Sequence, residues 1–319
     1  ITLFSFLFVM SAFFAGSIGI LTFFALIVLS HSKFAVDAVG KHGIAREGLS
    51  RLGGIGILLG IGFYYFLRSL VDNHVLFFTD YGPVDFILYA GGVSFLIALI
   101  GLIDDFVTLS AKIRMLSQVV VSVLAFALFG ELLPDHLPFV GYSTFFDNTF
   151  FIVFASAFVL VGFVNAGNIV DGANGLLSII ALCFFVCTFV ETEKIDYLIV
   201  SLSLAVFIVI NVIWGQIILG DFGAYFLSAL IVFTCFMLFN DHQVSVWFFG
   251  SILSYPCFEV ARVMVFRLME KRSPFLSDNR HVHNDLHQYI LYRGFKGTLA
   301  NSITGISMAV FSSLLSTVL

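Results

Sequence analysis

The stretch FILYAGGVSFLIALIGLIDDFVTLSAKIRMLSQ, residues 86–118, decides the fold. It opens with an apolar run that carries no charge until Asp104 and Asp105, which stand side by side. Such a run approaches the roughly 20 apolar residues that a helix needs to cross a hydrocarbon core about 30 Å thick. Lys112 and Arg114 follow, and a second apolar run begins beside them. The segment reads as two membrane-crossing helices joined by a short charged turn.

The rest of the chain repeats this pattern. Of 319 residues, 60% are apolar, 17% aromatic and only 11% charged, with a mean hydropathy of +1.07. Soluble domains carry about 25% charged residues, so this chain cannot coat a globule in water. Disorder, coiled coil and collagen are excluded by the same figures, and a net charge of −5 offers no basic face for nucleic acid. Apolar runs long enough to span lie near 3–29, 51–71, 84–103, 113–131, 148–165, 176–190, 197–214, 224–239, 245–267 and 297–318. The expected fold class is therefore all-α: a polytopic integral membrane protein with about ten transmembrane helices. It forms a single transmembrane domain over residues 1–319, with a longer loop near 268–296.

The first run is too long for a signal-peptide core and lacks a preceding basic stretch, so it is expected to remain as a span. Cys183, Cys187, Cys235 and Cys257 lie inside apolar runs without paired spacing and read as small packing residues. Orientation follows from Lys and Arg, which are retained on the cytoplasmic side. The loops after odd-numbered spans hold thirteen of them and the loops after even-numbered spans only Arg68 and Lys194. Both termini are thus expected outside, with the odd loops in the cytoplasm.

Four polar clusters fall on that inner side. Asp104 and Asp105 end one run; adjacent carboxylates repel unless a cation or proton lies between them, although a polar helix end with Asp105 as a cap is the plainer reading. Asn165-Ala-Gly-Asn168-Ile-Val-Asp171-Gly-Ala-Asn174-Gly175 combines glycines that permit close backbone approach with more amides than a capped turn needs. Gly220-Asp221-Phe222-Gly223 places a lone acid in an inner loop. The loop near 268–296 carries Asp278, Arg280, His281, His283 and His287, a set that suits a solvated surface, anionic lipid headgroups or a phosphate clamp. A zinc site there is short of its other ligands. Oxygen donors without cysteine suit Mg²⁺ or Mn²⁺, and Mg²⁺ commonly takes one or two carboxylates plus substrate phosphates. Phosphoryl chemistry at the cytoplasmic face is the natural expectation.

These residues resemble the polyprenyl-phosphate N-acetylhexosamine-1-phosphate transferases, the WecA/MraY-like membrane family (glycosyltransferase family 4). The likeness runs from about Asp37 to Tyr289 as five motifs in order. They are Asp37 with Lys41-His42 and Arg51-Leu52-Gly53-Gly54; Asp104-Asp105 with Lys112, Arg114 and Gln118; Asn168 to Leu176; Gly220-Asp221-Phe222-Gly223; and Pro274-Phe275 through His281-Val282-His283. The pattern of the last loop is closer to the O-antigen-initiating, WecA-like branch. Asn284 stands where the family commonly has histidine, Asn174 where it has aspartate, and Arg280 one place later than usual.

The resemblance implies transfer of an N-acetylhexosamine 1-phosphate from a UDP-sugar, UDP-GlcNAc or a related one, to undecaprenyl phosphate. The products would be a polyprenyl-diphospho-sugar and UMP, the first step of cell-surface glycan synthesis such as lipopolysaccharide O-antigen. By resemblance the catalytic residues are Asp104, Asp105, Asp171 and Asp221, with Mg²⁺ (Mn²⁺ as a substitute) on Asp221 helped by Asp104. Asp105 would hold the lipid phosphate or take its proton. Asp37, Lys41, His42, Arg51, Lys112, Arg114, Asn168, Asn174, Arg280, His281 and His283 would bind substrate. The active site is expected in the cytoplasmic loops of a multi-pass protein of the bacterial inner membrane, with a homodimer allowed. The rival within the class is the MraY-type phospho-MurNAc-pentapeptide transferase. From another class the rival is a secondary transporter, whose ionisable sites usually lie at mid-membrane between repeats.

Overall fold

In lipid every backbone N–H and C=O must be satisfied within the chain, which leaves helices as the economical solution for an apolar segment. The computed structural model describes residues 2–36, 49–72, 85–107, 109–135, 148–171, 175–240 and 246–272. Within these the chain is helical. The helices are α1 (Thr2–Ser30), α2 (Gly53–Asp72), α3 (Asp85–Val107), α4 (Ala111–Leu128), α5 (Thr149–Asp171), α6 (Leu176–Thr192), α7 (Ile195–Ile208), α8 (Gly220–Asn240), α9 (Val246–Ile252) and α10 (Ser254–Met269). Extended pairing among the described residues is limited to two isolated bridges, Val36 with Ser50 and Ser50 with Ile217.

Five of the described segments are long and apolar enough to cross a membrane: Ala90–Val107, Ala111–Leu128, Thr149–Asp171, Ile195–Ile213 and Gly220–Asn240. Shorter apolar helices occupy Gly16–Ser30, Gly53–Leu67 and Leu176–Thr192. The protein is a multi-pass, all-α membrane protein. The run read as a span at 297–318 lies outside the described residues, as does most of the 268–296 loop. The run at 245–267 is not one helix but two. Pro256 explains the break, because it lacks the N–H owed to the carbonyl of residue 252 and its ring crowds that carbonyl.

Helix α8 is the hub, packed most extensively on α3 and also against α5 and α2. Its Phe222, Tyr225, Phe226 and Phe233 are buried, and Gly54 of α2 meets Gly223 there so closely that a Cβ on Gly54 would lie 2.2 Å from the Gly223 Cα. Small residues at such crossings let helices approach where no hydrophobic effect drives them together. The lipid-facing logic shows on α4, where Ile113, Leu116, Val120, Leu124 and Leu128 are exposed while Gln118, Ser122 and Ala125 turn inward.

Candidate active site

The site is assembled by backbone contact first. The Ile218 N–H donates to the Ser50 carbonyl (3.0 Å), and the Gly53 and Gly54 N–H groups donate to Ile218 and Leu219 (3.0 and 2.9 Å). Asn211, in the π-helical turn Val209–Ile213 that ends α7, donates from its side-chain amide to the Ile217 carbonyl at 2.6 Å. The segment before α8 is thereby fixed along the entrance to α2. Gly220 then turns the chain into α8 with φ of +76°, and a Cβ there would meet the Arg51 carbonyl at 2.0 Å. A Cβ on Gly101 would likewise lie 2.5 Å from the Asp221 carbonyl. Gly220→Ala is expected to cost about 1–3 kcal/mol from backbone conformation alone, with the clash added; thermal unfolding in detergent measures it.

On this frame stand four carboxylates and two arginines. Asp105 is buried at the end of α3, and its carboxylate accepts from the Asp221 and Phe222 N–H groups at 3.2 and 3.1 Å. It thus caps α8 rather than its own helix, in the place where an anion is favoured. Arg51 lies between Asp105 (Nη1 to Oδ1, 3.1 Å) and Asp221 (Nη2 to Oδ1, 3.5 Å). Asp104 accepts from the Leu109 N–H (2.5 Å) and pairs with Arg114 Nη1 (2.7 Å). Arg114 is delivered by the first turn of α4, which Ser110 caps through the Ile113 N–H. Asp171, the last residue of α5, is within electrostatic reach of Asp221, Asp105 and Arg51.

Six residues named from the sequence are therefore brought together: Arg51, Asp104, Asp105, Arg114, Asp171 and Asp221. The acids sit on helix ends, not in loops; the apparent inner loop around Asp221 is the first turn of α8. The reason is economy of backbone hydrogen bonding, since Asp105 satisfies the two N–H groups that open α8. Asn168 is half-buried one turn before Asp171, and Lys112 is exposed. Asp37, Lys41, His42, Asn174, Arg280, His281 and His283 lie outside the described residues. Asn165, in sequence one member of a polar run, donates from its amide to Gln118 Oε1 at 2.7 Å and ties α5 to α4.

Among the described residues four carboxylates face two guanidinium groups, a formal excess of two negative charges. Both oxygens of Asp104 and both of Asp105 are engaged, whereas Asp221 meets, among the described residues, only a long contact with Arg51. Among the described residues no group of three side chains forms a metal cage. That donor set fits a hard cation which completes its shell with substrate oxygens and water, as Mg²⁺ does.

Fold and cluster together define a multi-pass membrane protein with an acidic, arginine-tempered site where helix ends meet. The chain belongs to glycosyl transferase family 4, whose profile matches residues 87–256, just over half of its length. It is 25% identical over 263 residues to a probable undecaprenyl-phosphate N-acetylglucosaminyl 1-phosphate transferase of Bacillus subtilis, covering 79% of this chain and 69% of that protein. To the undecaprenyl-phosphate alpha-N-acetylglucosaminyl 1-phosphate transferase of Thermotoga maritima it is 28% identical, over 58% of this chain and 57% of the relative. A phospho-N-acetylmuramoyl-pentapeptide-transferase of Staphylococcus aureus matches at 28% over 71% and 74%.

Proposed function

We infer that the protein transfers a sugar 1-phosphate from a UDP-N-acetylhexosamine to undecaprenyl phosphate, releasing UMP, with Mg²⁺ as cofactor. Family membership and the names of its relatives support a polyprenyl-phosphate phosphoglycosyltransferase. The observation that carries the reading is the convergence of Asp104, Asp105, Asp171 and Asp221 with Arg51 and Arg114. Phosphoryl transfer asks for charge neutralisation and alignment more than for covalent help, and this cluster is made of those parts.

The roles follow from what each side chain is already doing. Asp221 and Asp171, the acids least engaged among the described residues, would hold Mg²⁺; Asp104, the helper ligand that the resemblance implies, also orients Arg114 toward a phosphate. Asp105 holds the start of α8 and thereby sets where Asp221 stands, so it is an anchor before it is a base. When bound, Mg²⁺ supplies positive charge against the diphosphate and the departing nucleotide. Arg51 and Arg114 screen the acids so that an anionic substrate can enter.

The finer reading keeps about ten spans, the site on the cytoplasmic side and both termini outside, supported by the thirteen-to-two split of basic residues. UDP-sugar then arrives from the cytosol and the polyprenyl tail from the bilayer. A WecA-like sugar is favoured over UDP-MurNAc-pentapeptide by the last loop, although relatives of both kinds are found. Purified protein given undecaprenyl phosphate, Mg²⁺ and UDP-GlcNAc is expected to release UMP only when the lipid is present. Release with UDP-MurNAc-pentapeptide alone would move the protein to the other branch. Silence with both of these, with UDP-GalNAc and with a UDP-6-deoxy-N-acetyl sugar, in folded protein, would overturn the reading.

A further inference from the structure

Tyr225 is fully buried on α8, and its hydroxyl has no hydrogen-bond partner among the described residues. A buried, unsatisfied phenol costs about 1–3 kcal/mol, and a phenylalanine would fill the same space without that cost. The residue lies four positions after Asp221, on the same face of the helix. Side chains in a helix lean toward its N-terminus, and the N-terminus of α8 is where the carboxylates gather. The ring therefore reaches back from one turn deeper toward the site. Consistent with this, Tyr225 is within electrostatic reach of Arg114, Asp221, Asp104 and Asp105.

The described carboxylates of the site leave the phenol unused, and two of them are already committed. Asp104 serves Leu109 and Arg114, and Asp105 serves Arg51 and the start of α8. The phenol is thus a neutral donor at the floor of a charged site whose own groups leave it unused. Being neutral, it would bind an anionic oxygen without adding to the charge balance set by the two arginines.

We propose that Tyr225 is a substrate-binding residue whose hydroxyl donates to a phosphate oxygen seated between Arg114 and Asp221. The phosphate belongs either to the lipid monoester or to the diphosphate of the nucleotide sugar. This assignment rests on the transferase reading, and the test separates the two. Tyr225→Phe in the full chain removes only the hydroxyl. Unfolding is expected at the same or a higher temperature, because an unsatisfied group has gone. The value of kcat/KM is expected to fall about tenfold to a hundredfold, the worth of a hydrogen bond to a charged group.

A rise in KM confined to undecaprenyl phosphate assigns the hydroxyl to the lipid phosphate, and one confined to UDP-sugar assigns it to the diphosphate. In parallel, thermal stabilisation by inorganic pyrophosphate with Mg²⁺ reads binding without turnover. If the wild type is inactive on every sugar yet Tyr225→Phe needs about tenfold more pyrophosphate, the residue keeps its role and the transferase reading falls. The inference is overturned if the variant is active and binds within twofold of wild type. It is also overturned if the variant unfolds earlier, which would make the hydroxyl structural, or if pyrophosphate stabilises neither protein.

Discussion

Arg51→Ala is expected to lower stability by about 3–5 kcal/mol, the usual consequence of removing one partner from a buried charge pair. The effect is large because Arg51 serves two acids at once, Asp105 at 3.1 Å and Asp221 at 3.5 Å, and both stand next to further carboxylates. Without it the buried acids repel one another at the mouth of α8. Activity is expected to fall with the fold. Arg51→Lys should recover only part of either, since an ammonium is a compact point charge without the planar fork by which two guanidinium nitrogens each meet a different carboxylate. The informative companion is Arg51→Ala with Asp105→Asn. Removing one negative charge with the positive one should restore much of the unfolding temperature while leaving activity low. If the double variant is no more stable than Arg51→Ala alone, the ion pair is not what holds α3, α2 and α8 together.

Much of this was legible in the sequence, and the legible part has a common cause. Apolar runs such as 86–103 report a membrane span because lipid leaves the backbone no alternative to a helix. The acids and arginines of the cluster were legible because charge at the edge of such a run is conspicuous. What remained hidden depended on three-dimensional approach. Nothing in the order of residues says that Asp105 caps a helix beginning at residue 220, or that Gly220 faces the Arg51 carbonyl. Proline's effect at residue 256 was available in principle, since it splits a run that hydropathy alone joins. Tyr225 was invisible for a different reason: within an apolar segment a tyrosine counts as one more aromatic, and only the lack of a partner for its hydroxyl among the described residues sets it apart.

Asp221→Asn and Asp105→Ala should move stability in opposite directions, although the two residues are neighbours. Asp221 accepts one long contact from Arg51 and lies among like charges. Replacing it with asparagine relieves repulsion, so the unfolding temperature should be unchanged or higher. Asp105 accepts two backbone N–H groups as well as Arg51, and alanine there removes the acceptor all three share. A loss of about 3–5 kcal/mol is expected for Asp105→Ala, with Asp105→Asn between it and the wild type because one oxygen remains. Activity separates them again. Asp221→Asn, with the fold intact, should lose about 100- to 1000-fold in kcat, the scale on which one preorganised electrostatic group contributes. It should also need more Mg²⁺ for half-activation. Unfolding temperature, UMP release and a Mg²⁺ titration on the same preparations measure all three. An Asp221→Asn protein that is destabilised like Asp105→Ala would show both acids to be structural, and the cation would have to be held elsewhere. A stable, inactive Asp221→Asn beside an unstable Asp105→Ala would divide the site as its hydrogen bonds divide it: one acid spent on building the helix end, the other kept for the substrate.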